Sequence, residues 1–390
     1  MVSIMMKKLI DIIKDEFDLF RKESGAMLIM IIGVVAYSIF YMLPYSTEII
    51  KEAPIGVVDF DGTKMSHEFI RNLNATDSVN VVSRLVSIDE AKHQFYKGNI
   101  KGYVIVPRDF QKEIKRGSQA VVSTYADSSY LIIYKTIYSA VVQTAINYGA
   151  KIEVGKLLKK GMPKDVAMTV KQPFEFVQVP LYNPAGGYET YVYPVILILI
   201  LHQTLVVGIG LMQGTRHELK ENYCKKEEDI PITLFGRCTA YVLLYMFYSI
   251  FYFLIYPAIG KYPMSYNLLP LILILIPMFY GAGFFSHTIS YYFKKRESSL
   301  LILVVTSLIF IFLPGLIWPK EAIPQWLNIV AYFIPATCGV DGIIKVNQMN
   351  ATFWNVKYDF LWLIFLCGLY FASSIYVIKK KFHKGDLNKK

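Results

Sequence analysis

Six long apolar stretches, one near the start of the chain and five crowded into its second half, constrain this sequence more than any motif. They cover residues 26–43, 191–213, 239–259, 268–292, 298–318 and 360–378. Each approaches or exceeds the roughly 20 apolar residues that a helix needs to cross a hydrocarbon core. The third and fourth contain no Asp, Glu, Lys or Arg. Backbone facing lipid must satisfy its hydrogen bonds internally, which leaves helices and closed barrels, and these stretches lack the alternation of barrel strands. The expected fold class is therefore a membrane all-α protein with six transmembrane helices in a 1+5 arrangement. The fourth is expected to bend at Pro270 or Pro277.

The chain carries a net charge of +11, a balance that in other contexts points to nucleic acid. Its placement decides otherwise. Lys7, Lys8, Lys14, Arg21 and Lys22 precede the first stretch, and Lys379, Lys380, Lys381, Lys384, Lys389 and Lys390 follow the last. Arg216, Lys220, Lys225 and Lys226 sit between the second and third, and Lys294, Lys295 and Arg296 between the fourth and fifth. The opposite connections hold Lys261 in one case and Lys320, Lys345 and Lys357 in the other. The positive-inside rule then puts both termini in the cytoplasm and residues 46–190 outside. The lipid bilayer accounts for the basic excess, and no nucleic-acid partner is expected. The first stretch follows a charged leader and lacks a small-residue cleavage site, so it reads as an uncleaved anchor.

Within residues 1–25, Met5, Leu9, Ile12, Ile13, Phe17 and Phe20 recur at helical spacing opposite Lys8, Asp11, Asp15 and Asp18. Two readings are open, an amphipathic helix on the inner membrane surface or a helix packed on its neighbours. Residues 26–45 form the first span. Residues 46–190 read as an inserted extracytoplasmic α/β domain with strands at 55–60, 79–82, 103–106 and 121–125 and helices at 65–73 and 88–96. A long helical pattern from 129 to 160 closes it as a stalk, stopped by Gly161 and Pro163. Residues 191–378 hold the remaining spans, with polar segments at 214–237 and 314–345, and residues 379–390 are a basic cytoplasmic tail.

No chemistry-bearing motif is complete. Gly56 and Gly62 bracket Asp59 and Asp61, but Thr-Lys follows the second glycine and the spacing misses the P-loop, so an Asp-Gly turn after a strand is expected. His217-Glu218-Leu-Lys-Glu221 has a glutamate where a zinc-protease helix needs its second histidine. The four cysteines, Cys224, Cys238, Cys338 and Cys367, have neither disulfide-framework nor metal-ligand spacing. No enzyme activity, metal or cofactor is expected in this chain. His202 and Gln203 are costly in lipid unless they face protein or water; lining a pathway and packing helices through a hydrogen bond are both open for His202. The charged stretch 213–222 suits either a solvated face or a short helix docked on a cytoplasmic partner.

Several motifs recur in order along the chain: after the amphipathic leader come Ile55-Gly-Val-Val-Asp-Phe60, Lys101-Gly-Tyr-Val-Ile-Val-Pro-Arg-Asp-Phe110 and Tyr182-Asn-Pro184. Further on come Arg216-His-Glu-Leu-Lys-Glu221, Pro314-Gly-Leu-Ile-Trp-Pro319, Ile323-Pro-Gln-Trp326 and Ile334-Pro-Ala-Thr337. On the 1+5 arrangement these segments resemble, over nearly the whole chain, the permease subunit of a type 2 ABC exporter, in the subgroup with a large extracytoplasmic domain between the first two spans. One departure is that Glu221 is followed by Asn-Tyr-Cys-Lys-Lys where the family often continues into Gly-Thr, which leaves the register of the coupling helix open by a few residues.

The resemblance implies a dimer with a second permease copy or a paralogue in the cytoplasmic (inner) membrane, each docked on a separate cytoplasmic ABC ATPase that binds ATP and Mg. It also implies export of an apolar or amphipathic molecule, drug or lipid-like, and a meeting between the outer domain and a periplasmic adaptor. In these roles Arg216, Glu218 and Glu221 couple to the ATPase. His202, Gln203 and Thr306 line the pathway, and Pro335, Ala336 and Thr337 shape the outer gate, within a re-entrant segment at 314–345. The competing class is a membrane-anchored receptor or envelope-assembly factor that binds through the outer domain, which predicts no ATPase partner.

Overall fold

The computed structural model describes residues 2–387 apart from 44–48, 172–178, 185, 222, 225, 261, 263–266, 291, 294, 298–299, 302–303, 305–308, 310–311 and 316–317. The chain divides into two compact units, Met1–Glu48 with Pro180–Lys390 and Ile49–Val179.

The first unit begins with the leader helix α1 (Val2–Lys22), whose last turn carries Arg21 and Lys22 where cations complement the helix dipole. Its apolar stripe is used unevenly. Ile4, Met5, Met6 and Ile10 are exposed, whereas Glu16 and Phe20 are buried. Glu23 interrupts the helix and its carboxylate accepts the Gly25 N–H at 3.4 Å, capping the next one. That next helix, α2 (Ser24–Tyr41), is the first span. Ala26, Met30, Val34 and Ser38, one every fourth residue, are its buried line, and Leu28, Ile32, Val35 and Phe40 are exposed on its other faces.

The second unit is a four-stranded sheet in the order β2-β1-β3-β4. Strand β1 (Ala53–Asp59) ends in a turn where the Asp59 carboxylate accepts the Asp61 and Gly62 N–H groups, both at 3.0 Å. This is the Asp-Gly turn expected there, with Gly62 at φ +60°, a conformation glycine adopts without strain. Helix α3 (Lys64–Asn74) follows behind a Thr63–Ser66 capping box. Strand β2 (Val79–Leu85) pairs parallel to β1. Helix α4 (Ile88–Tyr96) returns the chain to β3 (Gly102–Val106), parallel to β1 on its other side. A short helix α5 (Phe110–Arg116), absent from the sequence reading, intervenes before β4 (Ser123–Ala126), which runs antiparallel to β3. Helix α6 (Leu131–Lys159) buries Ile137, Ala140, Val141, Thr144 and Tyr148 at helical spacing in a core with Phe69 and Phe110. Tyr148 donates to the Met65 carbonyl at 3.1 Å and Lys151 pairs with Glu68 at 2.7 Å, so α6 is held along α3. Helix α7 (Lys164–Lys171) ends the unit.

Returning to the first unit, α8 (Tyr188–Glu218) is the most enclosed span. At Gly208 a Cβ would lie 2.2 Å from the Met30 Sδ, so the glycine lets the Met30 side chain of α2 pack directly on α8. Helix α9 (Glu227–Ile259) contains a π-helical turn at Phe251–Ile255. Helix α10 (Leu268–Ser290) carries Pro270 in its first turn, where a missing N–H costs nothing, and Pro277 inside it. Helices α11 (Gln325–Tyr332) and α12 (Pro335–Asn347) meet at 87°, and α13 (Phe353–Leu387) closes the chain. Across the bend, the Lys320 ammonium binds both carboxylate oxygens of Asp341 at 2.5 Å and lies 5.7 Å from the Tyr332 ring centroid.

Among the described residues five helices are long and apolar enough to cross a membrane, or six if the bent pair counts as one span. The expected span at 298–318, with Thr306, falls mostly outside the described residues. Two expectations need correction. The charged stretch 213–222 is no separate helix; α8 continues to Glu218 and stops near Lys220 at φ +54°. The third span's helix begins with the turn at Glu227 rather than at residue 239, and Glu227, Asp229 and Arg237 in its added turns pair with Lys379, Lys8 and Glu16.

Candidate functional site

The last turn of α8 and the first turns of α9 are joined through one carboxylate on the leader helix. Glu16 is 1% exposed, although ionised side chains are rarely buried so completely. Arg216 holds it with both terminal nitrogens, Nη1 to Oε1 at 3.1 Å and Nη2 to Oε2 at 2.5 Å, the two-pronged geometry in which guanidinium and carboxylate bind most strongly. Arg237 brings its Nε to 3.5 Å of Oε2 from α9. Tyr241, one turn further on, donates its hydroxyl to Oε1. Burial alone pushes the Glu16 carboxyl up, but Arg216 and Arg237 beside it hold it down at about 2. The second arginine is accommodated by Tyr223, whose carbonyl accepts from Arg237 Nη2 at 3.1 Å and whose ring lies 4.3 Å from the guanidinium carbon. Leu9 and Ile12 seat the leader against Gly236, where a Cβ would come within 2.8 Å of the Ile12 side chain.

A looser ring of charges surrounds this node. Arg216 Nε is 3.6 Å from Glu221, which is itself exposed. Glu218 accepts the Arg296 backbone N–H at 3.1 Å and lies 3.6 Å from its Nε, tying α8 to the chain that follows α10. Arg296 also reaches Glu23 at 3.8 Å. Lys8 pairs with Asp229, and Lys379 of α13 pairs with Glu227 at 3.2 Å. One end of the helix unit is thus cross-linked by charge between α1, α8, α9, α13 and the segment after α10. His217, Leu219, Lys220, Glu221, Lys226 and Glu228 remain exposed on it.

Of the residues named from sequence, Glu218 and Glu221 stand on the rim of this node, and Arg216 is buried in it, turned toward Glu16. His202 is buried midway along α8 and Gln203 is half-buried. Pro335, Ala336 and Thr337 are buried in the first turn of α12. His202 and Gln203 thus stand midway along α8, Pro335, Ala336 and Thr337 at the start of α12, and Glu218 and Glu221 at the rim. Buried in the same helix unit, Gln213 Nε2 lies 2.5 Å from His287 Nδ1, and Tyr245 donates to Thr204 at 2.9 Å. Sequence reasoning missed Glu16, Tyr223, Arg237 and Tyr241. For Glu16 a signal existed. It lies four residues from both Ile12 and Phe20, inside the apolar stripe rather than opposite it.

The family model described as ABC-2 family transporter protein matches residues 25–376. No curated protein matches the chain. The match takes in every span from the first to most of the last and the sheet unit between them, so the several apolar helices are those of a multi-pass transport permease, a family whose members associate with an ABC ATPase subunit. The chain belongs to the ABC-2 family of transporter proteins.

Proposed function

We propose that this chain is the permease of an ATP-driven exporter in the cytoplasmic membrane, paired with a second copy or a paralogue and driven by a separate ATPase that binds ATP and Mg. Residues 46–190 are taken to lie outside the membrane and both termini inside, a reading supported by the distribution of Lys and Arg. The observation that carries the reading is the Glu16 node. An ATPase can move membrane helices only by pushing on something that does not yield locally. The end of the unit predicted to face the cytoplasm is the one where five segments are linked by charge, buried where Arg216 and Arg237 meet Glu16 and exposed at the Arg296–Glu218 and Lys379–Glu227 pairs around it. Glu218, Glu221 and the exposed Leu219 form the contact with the ATPase, and Arg216 passes its displacement to the leader helix through Glu16.

In this reading His202, Gln203 and Thr306 line the pathway, and Pro335, Ala336 and Thr337 shape the outer gate. The aromatic content of the spans suits an apolar or amphipathic molecule, drug or lipid-like. The outer domain extends the path toward a periplasmic adaptor. The test is purification of the tagged full chain from native membranes in mild detergent, with co-purifying proteins identified by mass spectrometry. A stoichiometric soluble subunit with a complete nucleotide-binding loop is expected. Its repeated absence beside intact permease would overturn the reading in favour of a receptor or assembly factor.

A further inference from the structure

At the opposite end of α8 lies a second buried carboxylate with a different environment. Glu189, in the first turn, is 2% exposed. It accepts the Tyr256 hydroxyl at 2.9 Å and also hydrogen-bonds the Tyr262 hydroxyl. Tyr193, one turn along, stacks on both phenol rings, with centroids 5.3 Å from Tyr256 and 5.6 Å from Tyr262 and interplanar angles of 19° and 16°. Tyr256 and Tyr262 are themselves 5.8 Å apart at 17°. The α9 stretch that presents Tyr256 follows the π-helical turn Phe251–Ile255, and Tyr193 donates its hydroxyl to the Tyr252 carbonyl within that turn. Such turns are frequent at functional sites because they re-aim side chains.

Among the described residues no Lys, Arg or His nitrogen lies within 4.0 Å of the Glu189 carboxylate. A buried carboxylate without a cation is costly. Tyrosine hydroxyls reduce that cost without neutralising the charge. By donating to a carboxylate they also make the ring faces more electron-rich, and such faces attract cations. Tyr256 and Tyr262 are half-buried, whereas Tyr193 and Glu189 are buried beneath them.

We propose that Glu189, Tyr193, Tyr256 and Tyr262 form a binding site for the positively charged nitrogen or phosphorus centre of an amphipathic organic cation. The proposal rests on the exporter reading and narrows its cargo class. A hard metal ion fits poorly, since Ca²⁺ asks for six to eight oxygens and one carboxylate with two phenols supplies few. A desolvated organic cation needs only the aromatic faces and one counter-charge.

The test uses the full chain in nanodiscs of zwitterionic lipid and equilibrium dialysis with tetraphenylphosphonium, alongside tetraphenylborate, an anion of nearly the same shape. Saturable binding of the phosphonium and none of the borate is expected. Glu189→Gln should weaken it about tenfold, and Glu189→Asp, which keeps the charge, should retain most of it. Lys261 lies outside the described residues, and Lys261→Met should bind at least as tightly. Equal binding of both probes, unchanged binding in Glu189→Gln, loss in Lys261→Met, or competition by sodium as strong as by choline would each overturn the site. The exporter reading stands or falls separately. A co-purifying ATPase with no Glu189 effect rejects only the cation site, and Glu189-dependent binding in a chain without an ATPase rejects only the exporter.

Discussion

The two ends of α8 each meet a buried carboxylate, and the two are compensated by opposite means. Against the last turn, Glu16 is gripped by two guanidinium groups and a phenol, so its charge is spent entirely on holding helices together. In the first turn, Glu189 meets two phenols and, among the described residues, no cation. The contrast teaches that burial by itself does not mark a working site; what matters is whether the compensating charge is built into the chain. One end is organised to transmit force without yielding, and the other retains a charge able to engage something from outside.

The largest expected effect comes from breaking the first end. Glu16→Gln leaves Arg216 and Arg237 buried with no carboxylate between them, and removing one partner of such a group typically costs about 3–5 kcal/mol. Thermal unfolding of the detergent-solubilised chain should show a loss of that order, and an unchanged melting temperature would dissolve the comparison.

Acid gives nearly the same test without a mutation. The Glu16 carboxyl is lowered from 4.5 to about 2, so its contribution is fully present above the unfolded value and disappears as pH falls from 4.5 toward 2. That span corresponds to about 3 kcal/mol. Unfolding followed across this window should show the loss in the wild type and a much flatter profile in Glu16→Gln.

Tyr241→Phe removes one donor to Glu16 and leaves the ion pairs. A hydrogen bond to a charged group is worth about 1.5–3 kcal/mol, and chemical denaturation should place the variant between wild type and Glu16→Gln. The smallest effect is expected at the other end. Glu189→Gln relieves a buried charge while its amide oxygen still accepts from the phenols, so the melting temperature should fall little or rise, within about 1 kcal/mol of the wild type. A loss as large as that of Glu16→Gln would mean that Glu189 is a structural lock too.

Most of the spans were legible because lipid admits so few solutions. Residues 26–43, 191–213, 268–292 and 360–378 each fall within or largely overlap a helix of the structure. Strand positions around Ile55, Val79 and Tyr103 were legible from short apolar runs closed by turn residues. The start of α9 was not, because hydropathy counts Glu227, Asp229 and Arg237 as solvated when Lys379, Lys8 and Glu16 neutralise them across the fold. Helix α5 was hidden behind Pro107 and a left-handed Asp109 at φ +62°. The rim glutamates could be named from their position between two spans. The node beneath them could not, since Glu16 and Arg216 are 200 positions apart and nothing local in either segment announces the other.

The measurement that bears most directly on the account is site-specific photo-crosslinking in intact cells. A photoreactive residue replaces Leu219, exposed beside the Glu16 node, or Tyr125, exposed on strand β4 of the sheet unit. The account predicts a crosslink from position 219 to an ATP-binding protein and none from position 125. A crosslink to that protein from position 125, or none from 219 in a chain that co-purifies with it, would contradict the assignment of this charged end as the place where ATP-driven motion enters the membrane helices.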